Sequence, residues 1–194
     1  LCILQKNPHT KIISVEGSPT CFKIQKRNIL INNLKNIGLF NLLLSSKNSE
    51  EYTSDDFGTE NYTTDFPKKG FIKIQSTTLA QLLKKTKFEY IDFLKIDIEG
   101  SIPKLSKDLI NLWENDKIHY CCLSIEKNSF ESYQNIINTL TKNSIIYEIN
   151  PNTDSRKKIE SNYLKQKLRE ELGDTYQSNR IRGMEVVFEK IKSI

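Results

Sequence analysis

One stretch constrains this chain more than any other: Phe88-Glu89-Tyr90-Ile91-Asp92-Phe93-Leu94-Lys95-Ile96-Asp97-Ile98-Glu99-Gly100. It opens as a mostly apolar run, the composition of a strand buried on both faces. It then alternates, and the period of two puts Lys95, Asp97 and Glu99 on one face and Leu94, Ile96 and Ile98 on the other. A glycine and a helical pattern follow at once. Three ionisable side chains at the carboxyl end of a core strand are costly to bury unless they are paired or used. Open α/β sheets bind ligands at that end of their strands. An edge strand with a solvated face fits the same alternation.

The segments around it decide the class. Lys11 to Glu16 is a short β-branched strand ending on an acid. Gly17-Ser18-Pro19 makes the turn, with Ser18 as N-cap and Pro19 as the first helical residue. The helix runs to about Asn33 with Cys21, Ile24 and Ile31 on one face, and Leu39 to Leu44 reads as the next buried strand. Residues 45–70 are rich in Ser, Asn, Asp, Glu and Thr and read as a loop with a short hairpin. Phe71 to Gln75 is a small strand, and Thr77 or Thr78 caps a brief helix through Lys85. After the opening strand come a helix (Leu105 to Trp113), a strand ending on an acid (Tyr120 to Glu126), a helix (Phe130 to Leu140) and a strand (Ser144 to Ile149). A charged excursion over 150–183 holds one helix with the stripe Ile159, Tyr163, Leu168 and Leu172, and Met184 to Lys190 closes the chain as a strand.

This alternation predicts an α/β domain over 1–194, its sheet mostly parallel with helices on both faces. The last strand follows another without a compact crossover helix, so it is expected to return antiparallel. Strands before and after the opening stretch, joined through helices, place that stretch in the middle of the sheet.

Composition narrows the function. Of the 194 residues, 37% are hydrophobic and 27% charged, which suits a globular domain rather than a disordered chain. No apolar run approaches the roughly 18 residues of a membrane span. The net charge of +5 is mild, and the lysines are scattered without interleaved aromatic residues, so no nucleic-acid partner is indicated. Cys2, Cys21, Cys121 and Cys122 lie in apolar segments without metal-ligand spacing, which reads as buried, reduced thiols in a cytoplasmic compartment. His9 and His119 read as ordinary histidines, and no metal site is expected. Oligomeric state is not legible.

Glu16 is the first chemical candidate, since an acid ending a second strand can accept hydrogen bonds from both ribose hydroxyls of a nucleoside cofactor. A strand-ending glutamate facing water has the same sequence. No G-x-G-x-x-G and no P-loop is present. Asp97 can serve as a base or as the salt-bridge partner of Lys95. Arg156, Lys157, Lys158, Arg180 and Arg182 flank the late helix and fit either an anionic glycan or a solvated face.

Two motifs carry a resemblance. Ile13-Ser14-Val15-Glu16-Gly17-Ser18-Pro19, with Phe22 and Asn28 after it, resembles the second-strand motif of the FkbM-type methyltransferases, commonly valine-glutamate-proline-x-proline. Leu94-Lys95-Ile96-Asp97-Ile98-Glu99-Gly100 resembles their lysine-hydrophobe-aspartate-hydrophobe-glutamate-glycine motif. The likeness spans roughly residues 1–149. It implies a Rossmann-like, class I fold, with S-adenosylmethionine as cofactor and a hydroxyl of a sugar, glycan or other small molecule as methyl acceptor. Carried across, Glu16 holds the cofactor ribose, while Asp97 and Glu99 line the place where methyl and acceptor meet, with Lys95 supporting them. Glu126 is similar to an acid often found at the end of the next strand. The family's first strand and glycine-rich loop are expected upstream of Leu1. Gly17 stands where the family commonly has proline, and Ile102 where it usually has a second glutamate. A non-catalytic methyltransferase-like module, or a nucleotide-sugar or dinucleotide enzyme, are the other readings.

Overall fold

The computed structural model describes residues 4, 6–54, 63–64, 66–67, 69–98, 100–126, 129–150, 153, 155–172 and 184–191. The chain divides into two compact units, Leu1–Thr78 and Leu79–Ile194.

The first unit begins with a strand–helix–strand: β1 (Ile12–Glu16), α1 (Pro19–Ile31) and β2 (Ile37–Asn41). Ser18 caps the helix, its Oγ accepting the Cys21 backbone N–H at 3.1 Å, and Pro19 enters the first turn where no N–H is needed. β1 and β2 pair in parallel, from Ile12 opposite Ile37 to Glu16 opposite Asn41. The stripe expected on α1 is not buried: Ile24 is 41% and Ile31 65% exposed. The single strand expected over Leu39 to Leu44 divides at Leu42. β2 stays with β1, whereas β3 (Leu43–Leu44) pairs in parallel with β6 (Phe71–Thr77). β4 (Glu50–Ser54) lies antiparallel between β6 and β5 (Thr63–Thr64), so the polar region after Leu44 contributes strands of a small sheet.

The second unit carries most of the fully buried side chains. Its order is α2 (Leu79–Thr86), β7 (Ile91–Ile96), a 3-10 turn (Ile102–Leu105), α3 (Ser106–Glu114), β8 (Ile118–Ile125), α4 (Phe130–Leu140), β9 (Ser144–Ile149), β10 (Arg156–Ile159), α5 (Ser161–Leu172) and β11 (Met184–Lys190). The sheet runs β10-β9-β11-β8-β7. α3 packs on β8, with α2 and α4 against α3 and α5 against α4. Leu109, Tyr133, Ile136, Ile137, Leu164 and Phe188 are wholly buried, which removes large apolar areas from water at about 25 cal/mol per Å².

The expectation of a mostly parallel sheet is corrected. Among the described residues, only β1–β2, β3–β6 and β7–β8 are parallel ladders; β11 is antiparallel to both β8 and β9, and β10 to β9. β8 and β9 would be parallel neighbours, but the returning β11 inserts between them and replaces one parallel ladder by two antiparallel ones. The antiparallel last strand is as expected. So is the α/β class, with both helix-linked parallel pairs built as strand–helix–strand crossovers.

Within the sheet of this unit β7 lies at the edge rather than in the middle. Among the described residues its one ladder neighbour is β8, and Tyr90 and Phe93 are 51% and 52% exposed. The apolar run that suggested a two-sided core strand faces outward at these two aromatics.

Of Thr77 and Thr78, Thr77 donates its hydroxyl to Asn48 Oδ1 at 3.0 Å. The Ala80 backbone N–H donates to Asp108 Oδ2 at 2.9 Å, a cap supplied by the first turn of α3. Asp108→Ala is therefore expected to cost about 1 kcal/mol, the usual worth of an N-cap, read as a lowered urea midpoint. A midpoint equal to wild type would show that the contact carries no stability.

Candidate active site

The carboxyl end of β1 is organised by its own turn. Glu16 Oε1 accepts the Ser18 backbone N–H at 2.8 Å, and Oε2 accepts Gln25 Nε2–H at 3.3 Å. Gln25 is held in turn by Ser14, whose hydroxyl donates to Oε1 at 3.2 Å. Asn41, opposite Glu16 at the end of β2, donates to the Glu16 carbonyl at 2.8 Å. The carboxylate is thus fixed in orientation, yet each oxygen can still accept a further donor. Gly17 belongs to this packing. A Cβ there would run into the Leu43 side chain, so glycine rather than the family's usual proline goes with the close approach of β3.

At the end of β7 the sheet register brings four side chains to one face. Lys95 lies opposite Cys122, and Ser124, two residues along β8, lies opposite Glu185 on β11. Lys95 Nζ reaches across β8 to Glu185 Oε1 at 2.8 Å and to Asp97 Oδ2 at 3.6 Å. Ser124 Oγ also donates to Glu185 Oε1, at 3.4 Å. Lys95 and Asp97 are about half exposed, at 47% and 51% of their side chains. The hydrogen bond to Glu185 raises the Lys95 pKa above its ordinary value, reinforced by the charges of Glu185 and Asp97 and opposed by burial. Lys95 is therefore an ammonium ion at neutral pH.

Of the expected site residues in this unit, Lys95 and Asp97 lie together. Glu99 lies outside the described residues. Gly100 adopts φ 76° and starts the turn into the 3-10 segment, a conformation that favours glycine. Ile102, where the resemblance expects a second glutamate, is wholly buried in that segment, which packs on α4. A carboxylate there would have to be buried, which is costly, so the apolar residue suits its place. Glu126, just past β8, accepts the Tyr133 hydroxyl at 2.8 Å through its backbone carbonyl, which ties the end of β8 to α4.

Two participants were missed by the sequence reading: Glu185, the nearest partner of Lys95, and Asn41, which braces the Glu16 turn. Glu185 did leave a trace in the alternation of Met184 to Lys190. Its partner is distant in sequence, and no local pattern names it.

The remaining candidates are ordinary. Burial pushes the Cys122 thiol up to about 11, helped by the Glu185 charge, and burial raises Cys121 further. Both are protonated thiols at neutral pH, neither nucleophile nor ligand. Cys21 is a free thiol, and Cys2 lies outside the described residues. His119 Nδ1 sits 3.6 Å from Asp92 Oδ1, near the amino-terminal end of β8. Arg156 covers the Tyr147 ring and Lys157 the Tyr163 ring, which accounts for two of the late basic residues. Arg180 and Arg182 lie outside the described residues. Among the described residues no group of three or more His, Cys, Asp or Glu is arranged to hold a metal ion, and no helix is long and apolar enough to cross a membrane.

Comparison with known families decides what these strand ends belong to. The family model of the methyltransferase FkbM domain matches residues 1–143. The chain belongs to the FkbM methyltransferase family. That match covers both strand-end motifs, and it supports a methyltransferase role with S-adenosylmethionine as donor in general terms. None of the curated proteins matches the chain.

Proposed function

We propose that this FkbM-family protein transfers a methyl group from S-adenosylmethionine to a hydroxyl of a sugar, glycan or other small molecule. The observation that carries the proposal is the half-exposed Lys95–Asp97 pair at the carboxyl end of β7. A carboxylate and an ammonium ion standing in solvent at a strand end contribute little to stability, and that end is where α/β sheets work on ligands.

The donor set fits the cofactor. Glu16 is a fixed carboxylate with unused acceptor capacity, suited to two vicinal ribose hydroxyls. S-adenosylmethionine, when bound, supplies an electrophilic methyl on a sulfonium sulfur. Asp97 would accept a hydrogen bond from the acceptor hydroxyl and take up its proton, general-base help worth about 10²- to 10⁴-fold. Lys95 keeps the Asp97 side chain in place and holds compensating charge beside it. Rigid strand ends would also hold the acceptor hydroxyl in position, the orientation contribution such a site can make. The sugar-type acceptor rests on the family tendency. The cytoplasm is proposed as its site of action because the described cysteines are unpaired thiols.

The test is tritium transfer from S-adenosyl-[methyl-3H]methionine to a set of methyl hexosides by the complete protein. Label in the sugar fraction supports the reading. Calorimetric titration with S-adenosylmethionine that releases no heat, together with no transfer, would contradict it.

A further inference from the structure

The last strand lies beyond residue 143, outside the stretch that the family model matches, yet it reaches into the candidate site. We propose that Glu185 is a positioning residue for methyl transfer: it anchors the Lys95 ammonium ion on the face of the sheet from which Lys95 meets Asp97. The inference rests on the reading of Lys95 and Asp97 given above.

The geometry argues it in three steps. First, Glu185 is the nearer partner of Lys95, at 2.8 Å against 3.6 Å for Asp97. A long lysine side chain at a strand end has many rotamers, and the shorter contact selects among them. Second, Glu185 is itself held. It sits on β11, between β8 and β9, with its carboxylate accepting from Ser124 and 29% of its side chain exposed. Backbone ladders on both sides make β11 a rigid mount. Third, the anchor is polarised. Glu185 Oε1 takes both the Lys95 and the Ser124 donors, so the lysine is drawn across β8 and away from full engagement with Asp97.

Without Glu185 the ammonium ion has Asp97 as its one remaining carboxylate partner among the contacts described. Its side chain would then sample rotamers that the 2.8 Å contact to Glu185 excludes, and Asp97 would lose a fixed neighbour. The ion pair is partly exposed, so its loss leaves the fold standing. What changes is the state of Lys95 and the surroundings of Asp97. The groups that face the Lys95 ammonium ion are Asp97 just beyond its own strand, the Cys122 thiol on β8 and Glu185 on β11. Glu185 and Asp97 both favour the charged lysine, with the Glu185 hydrogen bond the largest influence.

The experiment compares wild type, Glu185→Gln and Glu185→Asp as complete proteins. Two readouts are taken: tritium transfer to the methyl hexosides, and the titration of the Lys95 side-chain signal by nuclear magnetic resonance, assigned with Lys95→Arg. For Glu185→Gln the expected result is a kcat lowered about tenfold, the scale of a small misplacement near the reacting atoms, with the KM for S-adenosylmethionine within about twofold, since Glu185 makes no uniform binding contribution. Lys95 should lose its proton at lower pH than in wild type, because the group that most favours its charge is gone. Glu185→Asp should recover part of both. An unchanged kcat, or a Lys95 signal titrating as in wild type, overturns the proposal. If wild type transfers no methyl, the functional reading fails by itself, and the Lys95 titration still decides whether Glu185 governs that lysine.

Discussion

Asp97→Asn is expected to lower methyl transfer by about 10²- to 10⁴-fold, the range for removing a general base, with the protein still folded. Asparagine keeps the size of the side chain and a carbonyl oxygen. It loses the negative charge and the ability to take a proton. Asp97 lies just past β7, half exposed, with a 3.6 Å contact to Lys95. An exposed ion pair of this length is worth about 0–1 kcal/mol, so the thermal midpoint should hardly move. Initial rates with tritiated donor, together with circular dichroism of the same samples, check both halves. A variant that folds and turns over as wild type would leave Asp97 as no more than the salt-bridge partner of Lys95.

The largest loss of stability is expected at Phe188. This residue is wholly buried on β11, opposite Cys121 of β8 and Ile146 of β9, both of which are themselves buried. Phe188→Ala removes a ring from the place where three strands meet, and rigid ladders on both sides limit how far the site can close over the cavity. Such substitutions cost about 3–5 kcal/mol, against a typical domain stability of about 5–15 kcal/mol. The urea midpoint should fall sharply, and the variant should be partly unfolded at moderate temperature. A loss below about 1 kcal/mol would mean that β11 is not the central strand described here.

The elements with strong periodicity were legible. Ser18-Pro19 announced α1, and the helix read over Phe130 to Leu140 is α4, with Phe130, Tyr133, Ile137 and Leu140 buried in the structure. Met184 to Lys190 was read as a strand, and the structure buries its Met184, Val186 and Phe188. β10 was not legible. Arg156, Lys157 and Lys158 are exposed on an edge strand, where charge suppresses unwanted pairing and erases the apolar pattern that marks a strand. In the next helix the predicted stripe mixed two elements: Ile159 belongs to β10 and Tyr163 is 45% exposed, while Leu164, Leu168 and Leu172 form the buried face of α5.

Long-range pairing was the other blind spot. Nothing local in Asp108 says that it caps α2, nor in β11 that it separates β8 from β9. Each depends on contacts between segments far apart in the chain. The candidate residues divide along the same line. Glu16, Lys95 and Asp97 were named as candidates because each reads in the sequence as part of a strand end. Glu185 was not, since its link to Lys95 spans 90 residues.

Counting transferred label with and without the Asp97 carboxylate decides whether the β7 strand end serves methyl transfer. The complete protein and its Asp97→Asn variant are incubated side by side with S-adenosyl-[methyl-3H]methionine and methyl hexosides, and the sugar fraction is counted. Label transferred by wild type and lost in the variant is the predicted result. Equal label from both proteins would contradict it.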